Sequence, residues 1–497
     1  MSFNSIIFLI FFGIVCVLYY LIPKSWRWVL LLIASCYFYM AFIPAYILIL
    51  FYLIAIDYVM GRVIEQAEGK RRKWFLIISI IANVGTLFFF KYFNFFETNV
   101  VYLASVIHWN YSPWILQIAL PLGLSFHTFQ SLAYVIEVYK KRYPAERHLG
   151  IYALYVMFFP QLVAGPIERP QHLLPQLHSL GDFDEARITD GLKIMLWGFF
   201  KKVVVADTLG SIVDSIYGNL HAVSGASLTL AVIAFALQLY GDFSGYSDIA
   251  RGAAKIFGVD LTNNFNLPYF SRSIADFWRR WHISLSSWFR DYFYQPIALS
   301  WTRISKAGPY LALIVTFLVI GLWHGAAWHY VFFGGLFGVY MVFGQLTKSL
   351  RVGIARAIGL TRVPMLYAFF QTATTFILVC IGFVFFRAAS MGDALYLLTH
   401  FGIGWGSVFH KTFWTSGRFA GPAFIQTEST LGKIKLLSLP LSCLFMIGGE
   451  YLQRRAKVNK WLMTHSPILR WAAYYALVIW IIIFGYYAQR TFIYFQF

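Results

Sequence analysis

Apolar and polar positions in this chain fall into long blocks rather than short periods. Residues 6–22, 74–96, 114–138, 364–386, 436–452 and 469–489 are apolar runs. Such runs fit the roughly 20 residues a membrane-crossing helix needs. Residues 28–60 are also apolar but are broken at Pro44, which predicts two shorter spans in a hairpin. Short basic stretches separate the runs: KSWR (24–27), GRVIEQAEGKRRK (61–73), KKRYPAERH (140–148), the segment 348–362 and RRAKVNK (454–460). By contrast, residues 97–113 hold one acid and no Lys or Arg. Basic connections stay cytoplasmic, so the alternation predicts a topology of about eleven crossings plus re-entrant helices. The pattern divides the chain into N-terminal transmembrane helices (1–113), a core (114–347) and C-terminal transmembrane helices (348–497) with an outer loop at about 387–435. The N-terminal run lacks a basic lead-in and a clear cleavage site, and reads as a retained span.

Composition agrees with an all-α polytopic membrane protein. The 497 residues are 59% hydrophobic and 12% charged, about half the charged fraction of a soluble protein. A net charge of +19 would suggest nucleic acid in a soluble chain. Here the basic residues sit between apolar runs, so topology accounts for the charge and no nucleic-acid partner is expected. Cys16, Cys36, Cys380 and Cys443 lie in or beside apolar runs without a CxxC pair. They read as buried small hydrophobes rather than disulfides or metal ligands. No HExxH or comparable ligand spacing occurs, so no metal is expected. GxGxxG and GxSxG are likewise absent, and no internal repeat supports an inverted-repeat transporter.

The middle of the chain breaks the pattern. Residues 150–306 mix apolar runs with Pro, Gly and buried-looking charges, as in FFPQLVAGPIERP (158–170), Lys201–Lys202 and YGDFSGYSDIARG (240–252). Irregular backbone at membrane depth requires protein or water around it, so a cavity is expected here. His324 and His329 stand in a stretch free of Asp, Glu, Lys and Arg from Ala307 to Thr347. His282 stands in FWRRWHISLSSWFRDY (277–292), which reads as one amphipathic helix at or within the membrane. A neutral imidazole in a dry site suits proton abstraction. A hydrogen-bonded packing histidine is the competing reading. It is the favoured one for His329, which lies about 140° round a helix from His324, and His127, His172 and His178 carry weaker signals still. Asp242 and Asp248 are expected to pair with arginines such as Arg251 or Arg279.

FFPQLVAGPIERP (158–170), QLYGDFSGYSDIARGAAKIFG (238–258), NFNLPYFSRSIADFWRRWHISLSSWFRDYFYQPI (264–297) and GLWHGAAWHYVFFGGLFG (321–338) together resemble the membrane-bound O-acyltransferase family, and look closest to its alginate O-acetylase branch. The resemblance covers roughly residues 120–345 by motif. It implies a multi-helix core crossed by a tunnel, in the inner membrane of a bacterium. It implies transfer of an acetyl group from cytoplasmic acetyl-CoA, with no permanently bound cofactor, toward an extracytoplasmic polysaccharide such as an alginate-like polymer or peptidoglycan. The histidine of the family's WHG motif corresponds to His324, and that of the RWH motif to His282. A donor wall and tunnel of Trp278, Arg279, Arg280, Trp281, Ser286, Trp323, Tyr240 and Asp242 is expected. Membrane lipid surrounds the chain, and a periplasmic SGNH-type acetyltransferase is the expected protein partner. D-alanyl transfer toward teichoic acid, or transport of an anionic lipid-linked substrate, are the alternatives.

Overall fold

In the computed structural model, all residues are described except 2, 164, 404–429, 455–465, 489, 491 and 494–497. The described residues form helices and no β-strand. In chain order the helices that matter below are α1 (Ile6–Leu21), α2 (Lys24–Met40), α3 (Ile47–Gln66), α4 (Gly69–Leu87), α5 (Phe93–Val106), α6 (Leu124–Tyr139), α7 (Leu149–Met157), α8 (Pro170–His178), α9 (Glu185–Phe199), α10 (Asp207–Tyr217), α11 (Gly225–Ile256), α12 (Ile274–Trp278), α13 (Ile283–Phe289), α14 (Gln295–Thr302), α15 (Gly308–His324), α16 (Trp328–Leu346), α17 (Lys348–Ala357), α18 (Pro364–Arg387) and α19 (Met391–His400). Helices Thr430–Arg454 and Pro467–Phe484 follow.

Six described helices are long and apolar enough to cross a membrane, and Ile6–Leu21 and Gly308–His324 are shorter apolar ones. These are matches of length and composition among the described residues and do not count the crossings, for which the runs suggest about eleven. Helix ends differ from the edges of the apolar runs, because long charged side chains reach water while the backbone stays helical. Thus α3 runs to Gln66 and α4 begins at Gly69, which leaves Ala67 and Glu68 as the connection. Downstream the helix continues through a widened π turn at Phe88–Tyr92 to Val106, and His108 just beyond it takes left-handed backbone with φ 54°. The return segment begins without regular structure, and its helix starts only after Pro121, at Leu124. The expected outer loop contains α19 at its start; residues 404–429 lie outside the described residues, as does most of the basic stretch 454–460.

Buried α11 is the axis of the core. It lies against α9 backbone to backbone: a Cβ on Gly198 would sit 2.7 Å from the Gly245 carbonyl oxygen, and one on Gly191 the same distance from that of Gly252. Small residues of this kind drive helix contact where lipid removes the hydrophobic driving force. Beyond α9 a second π turn, Phe200–Ala206, carries the lysine pair inward. Lys201 meets Asp248 at 2.6 Å and Glu450 at 2.9 Å, and Lys202 meets Asp207 and Asp242 at 2.7 Å each. Buried charges persist only when paired like this. Asp248 also meets Arg251 at 3.3 Å, whereas Arg279 turns to Asp276 at 3.4 Å.

Candidate active site

The stretch GLWHGAAWHYVFFGG builds a helical hairpin, α15 and α16. Gly321 of α15 and Gly334 of α16 face each other so closely that a Cβ on Gly334 would collide with the Phe317 carbonyl oxygen, and one on Gly321 with that of Tyr330. This fixes the end of α15, where His324 is the last helical residue and Gly325 turns into extended backbone. His324 is 4% exposed. Its ring stands edge-on to Phe386 at 5.2 Å and Phe333 at 5.6 Å, and 4.8 Å from Trp323. His329, by contrast, donates from Nδ1 to the Phe385 carbonyl at 2.9 Å.

His282 is fully buried. The segment 277–292 is not the single amphipathic helix its composition suggests. It breaks at 279–282 between α12 and α13, and continues past α13 as a π turn at Arg290–Tyr294. At the break His282 takes left-handed backbone with φ 44°, a costly conformation for a residue with a side chain. Neighbouring backbone holds it there. Ile283 N–H donates to the Asn264 carbonyl at 3.0 Å, and Ser284 N–H to Asn264 Oδ1 at 3.1 Å. Asn264 thereby satisfies two donors at the start of α13 that no intrahelical partner could meet. The His282 ring packs edge-on against Phe243 at 4.6 Å, lies 6.2 Å from Phe126, and is 6.1 Å from Trp323. Trp323 is therefore the common neighbour of both histidines.

Three cavities lie near this aromatic layer. The largest, about 1190 Å3 and almost wholly apolar, is lined by Tyr92, Phe129, Trp288, Leu322 and Trp323, and the other two carry polar side chains. One, of about 430 Å3, is lined by Lys91, Gly123, Ser125, Trp323 and His324. The other, of about 270 Å3, is lined by Trp278, Arg279, Ser286, Arg290, Thr316 and Gln345. A single face of α15 serves both, with Thr316, Phe317 and Ile320 in the second and Trp323 and His324 in the first. The expected donor wall is thus divided. Trp278, Arg279 and Ser286 line a cavity, and Arg290, outside the expected donor wall, lines it too. Arg280 instead bonds Asp276 at 3.0 Å, and Trp281 stacks on Phe277 at 5.5 Å and stands edge-on to Phe265 at 5.2 Å. Tyr240 and Asp242 belong to the buried ionic cluster, where Tyr240 donates to Glu450, and Asp242 meets Lys202 and accepts the Ile493 N–H at 2.9 Å.

Sequence reasoning also missed Lys91 and Asn264. Lys91 is a lone base inside the long apolar stretch that reads as a span, a signal that marks function in membranes. Asn264 opens the quoted motif NFNLPYF without any local sign of its capping role. Among the described residues, no group of three or more His, Cys, Asp or Glu side chains forms a metal-binding cluster. The four cysteines are free. His172 and His178 sit away from this layer, bonded to Glu168 at 2.7 Å and Glu146 at 2.8 Å.

Comparison with known proteins identifies the architecture. The model of the membrane-bound O-acyltransferase family, MBOAT, matches residues 148–377. The chain is 38% identical over 398 residues to the "Probable alginate O-acetylase AlgI" of Pseudomonas aeruginosa, covering 79% of this chain and 73% of that protein. It is 34% identical over 410 residues to the peptidoglycan O-acetyltransferase of Helicobacter pylori, covering 76% and 73%. A shorter match, 29% over 234 residues, covers 44% of this chain and 58% of the teichoic acid D-alanyltransferase of Bacillus subtilis. Multi-pass, all-helical and alike over most of its length to such enzymes, the chain belongs to the membrane-bound O-acyltransferase family and is an O-acyltransferase.

Proposed function

We propose that this enzyme moves an acetyl group from cytoplasmic acetyl-CoA through the bacterial inner membrane toward O-acetylation of an extracytoplasmic polysaccharide. The observation that carries this reading is the sharing of one face of α15 between two cavities, with His324 on the far one. The near cavity holds Arg279 and Arg290 and abuts the end of α16 at Gln345, just before the basic residues Lys348, Arg351 and Arg356. Basic ends are cytoplasmic, so this is the donor side. Two guanidiniums at its rim suit the phosphates of coenzyme A.

In this reading an acceptor hydroxyl enters the cavity bordered by Lys91, Ser125 and His324. Its oxygen attacks the thioester carbonyl carbon while its proton passes to the His324 imidazole. The tetrahedral intermediate collapses as the C–S bond breaks, and the thiolate leaves and recovers that proton. His282, on the other side of Trp323, stabilises the developing oxyanion or orients the donor. The names of the relatives favour an alginate-like polymer or peptidoglycan as the final acceptor. Such polymers are too bulky for a 430 Å3 cavity, so a periplasmic SGNH-type partner that accepts the group and passes it on fits the geometry.

The test supplies purified protein in nanodiscs with acetyl-CoA or with a D-alanyl thioester on a carrier protein, each with and without the candidate partner. Release of CoA that rises with the partner is the expected result. Consumption of the D-alanyl thioester alone would replace the acetyl reading, and consumption of neither would reject donor and mechanism together.

A further inference from the structure

α15 ends abruptly. The last carbonyls of a helix have no partner within it, and here Gly325 leaves in extended backbone with φ −163° rather than closing a left-handed cap. The partners come from a different helix. Lys91 Nζ donates to the Trp323 carbonyl at 2.6 Å and to the His324 carbonyl at 3.2 Å, and the Tyr92 hydroxyl donates to the Leu322 carbonyl at 3.1 Å. Three consecutive carbonyls at the end of the His324 helix are thus held by two consecutive residues. Both residues lie in the π turn Phe88–Tyr92, the widened kind of turn that recurs at functional sites. Lys91 also stands 5.9 Å from the centre of the Trp323 ring and lines the cavity that His324 lines.

A lysine in the middle of an apolar helix is costly to keep, and a shorter polar side chain would serve if capping one carbonyl were the whole purpose. A cation also complements the negative end of the helix dipole. We propose that Lys91 is a positioning residue for His324. Its Nζ clamps the end of α15, so that the imidazole and the Trp323 indole keep one orientation toward the acceptor cavity. Tyr92 completes the clamp. The inference rests on the proposed role of His324 as the base.

The experiment compares wild type, Lys91→Met, Lys91→Arg, Tyr92→Phe and His324→Ala in nanodiscs, with CoA release as the activity and tryptophan-fluorescence melting as the check on folding. The proposed donor cavity is a separate one, lined by Arg279, Ser286 and Arg290, so loss of the clamp acts on kcat and spares the KM for acetyl-CoA. Lys91→Met is expected to lose about 10- to 100-fold in kcat, the cost of misplacing a reacting group by about an ångström. Lys91→Arg, which keeps charge and donors, recovers part of that loss, and Tyr92→Phe loses several-fold. Wild-type kcat in folded Lys91→Met, or a loss confined to KM, overturns the clamp. Where Lys91→Met does not fold, Tyr92→Phe decides, because it removes one uncharged bond, and an unchanged kcat there overturns the proposal. Wild-type activity in His324→Ala defeats the reading of the base itself, whereas a dead His324→Ala beside a fully active Lys91→Met defeats the positioning role alone.

Discussion

Single residues set the site through contacts remote in sequence. Asn264 is fully buried, and its side chain and carbonyl hold the first turn of α13 and with it the strained backbone of His282. Asn264→Ala leaves the Ser284 N–H without that acceptor, and an unmet buried donor costs about 1–3 kcal/mol. The variant should melt lower than wild type and lose kcat as His282 drifts; a lower melting point with wild-type kcat would show that His282 geometry does not matter. A second pair, away from the membrane spans, carries a pH dependence. His172 lies beside the buried Glu168 carboxylate, whose hydrogen bond raises the imidazole above its ordinary 6.5, burial opposing. A raised folded value stabilises below the unfolded one and loses its contribution as pH climbs through the folded value. Melting temperature should therefore fall as pH rises through the range just above 6.5, and His172→Ala should flatten that slope. An equal slope in both proteins would exclude the pair. The pairing of Asp248 with Arg251 was legible at this scale, whereas Asp242, expected to meet an arginine, meets Lys202 instead. Lys91 was not singled out, because nothing local to residue 91 shows that its partners lie more than 200 positions away.

Elements show why pattern reading succeeded in some places and failed in others. In α15 and α16 apolar residues surround small ones, and the glycines permit a backbone contact that larger residues would block. Gly334→Val should force the hairpin apart, at about 1–3 kcal/mol for overpacking, and reduce both folded yield and CoA release. Normal yield and activity would mean that the hairpin end tolerates movement. The segment 277–292 was misread for a related reason. Its Trp and Arg spacing fits an amphipathic helix, but the break at 279–282 depends on a left-handed histidine, where a glycine would have announced the turn. Helix ends were also misplaced around residues 61–73 and 97–113. Charge density marks the edge of the membrane, and a helix does not stop there.

For the whole molecule, composition and block pattern were enough to establish a multi-pass helical membrane protein. Apolar composition alone does not separate a crossing helix from a buried core helix, so it does not fix the count of crossings. What secures the core is the ionic cluster that ties α9, α10, α11, the helix Thr430–Arg454 and Ile493 together around Lys201 and Lys202. Lys202→Met leaves Asp207 and Asp242 buried without their cation, at about 3–5 kcal/mol. Thermal melting should show a large loss, while Lys255→Met at the half-exposed Asp190 pair should stay within about 0.5 kcal/mol of wild type. Equal, small effects would mean that the cluster is hydrated and does not hold the helices.

The central claim is that His324 is the base on the acceptor side of the aromatic layer. The most direct test measures CoA release from acetyl-CoA by wild type and His324→Ala in nanodiscs, with matched melting curves and the candidate partner present. The account predicts steady release by wild type, and a loss of at least about 100-fold in a variant that melts normally. Release at the same rate by both proteins would make His324 a packing residue and contradict the account.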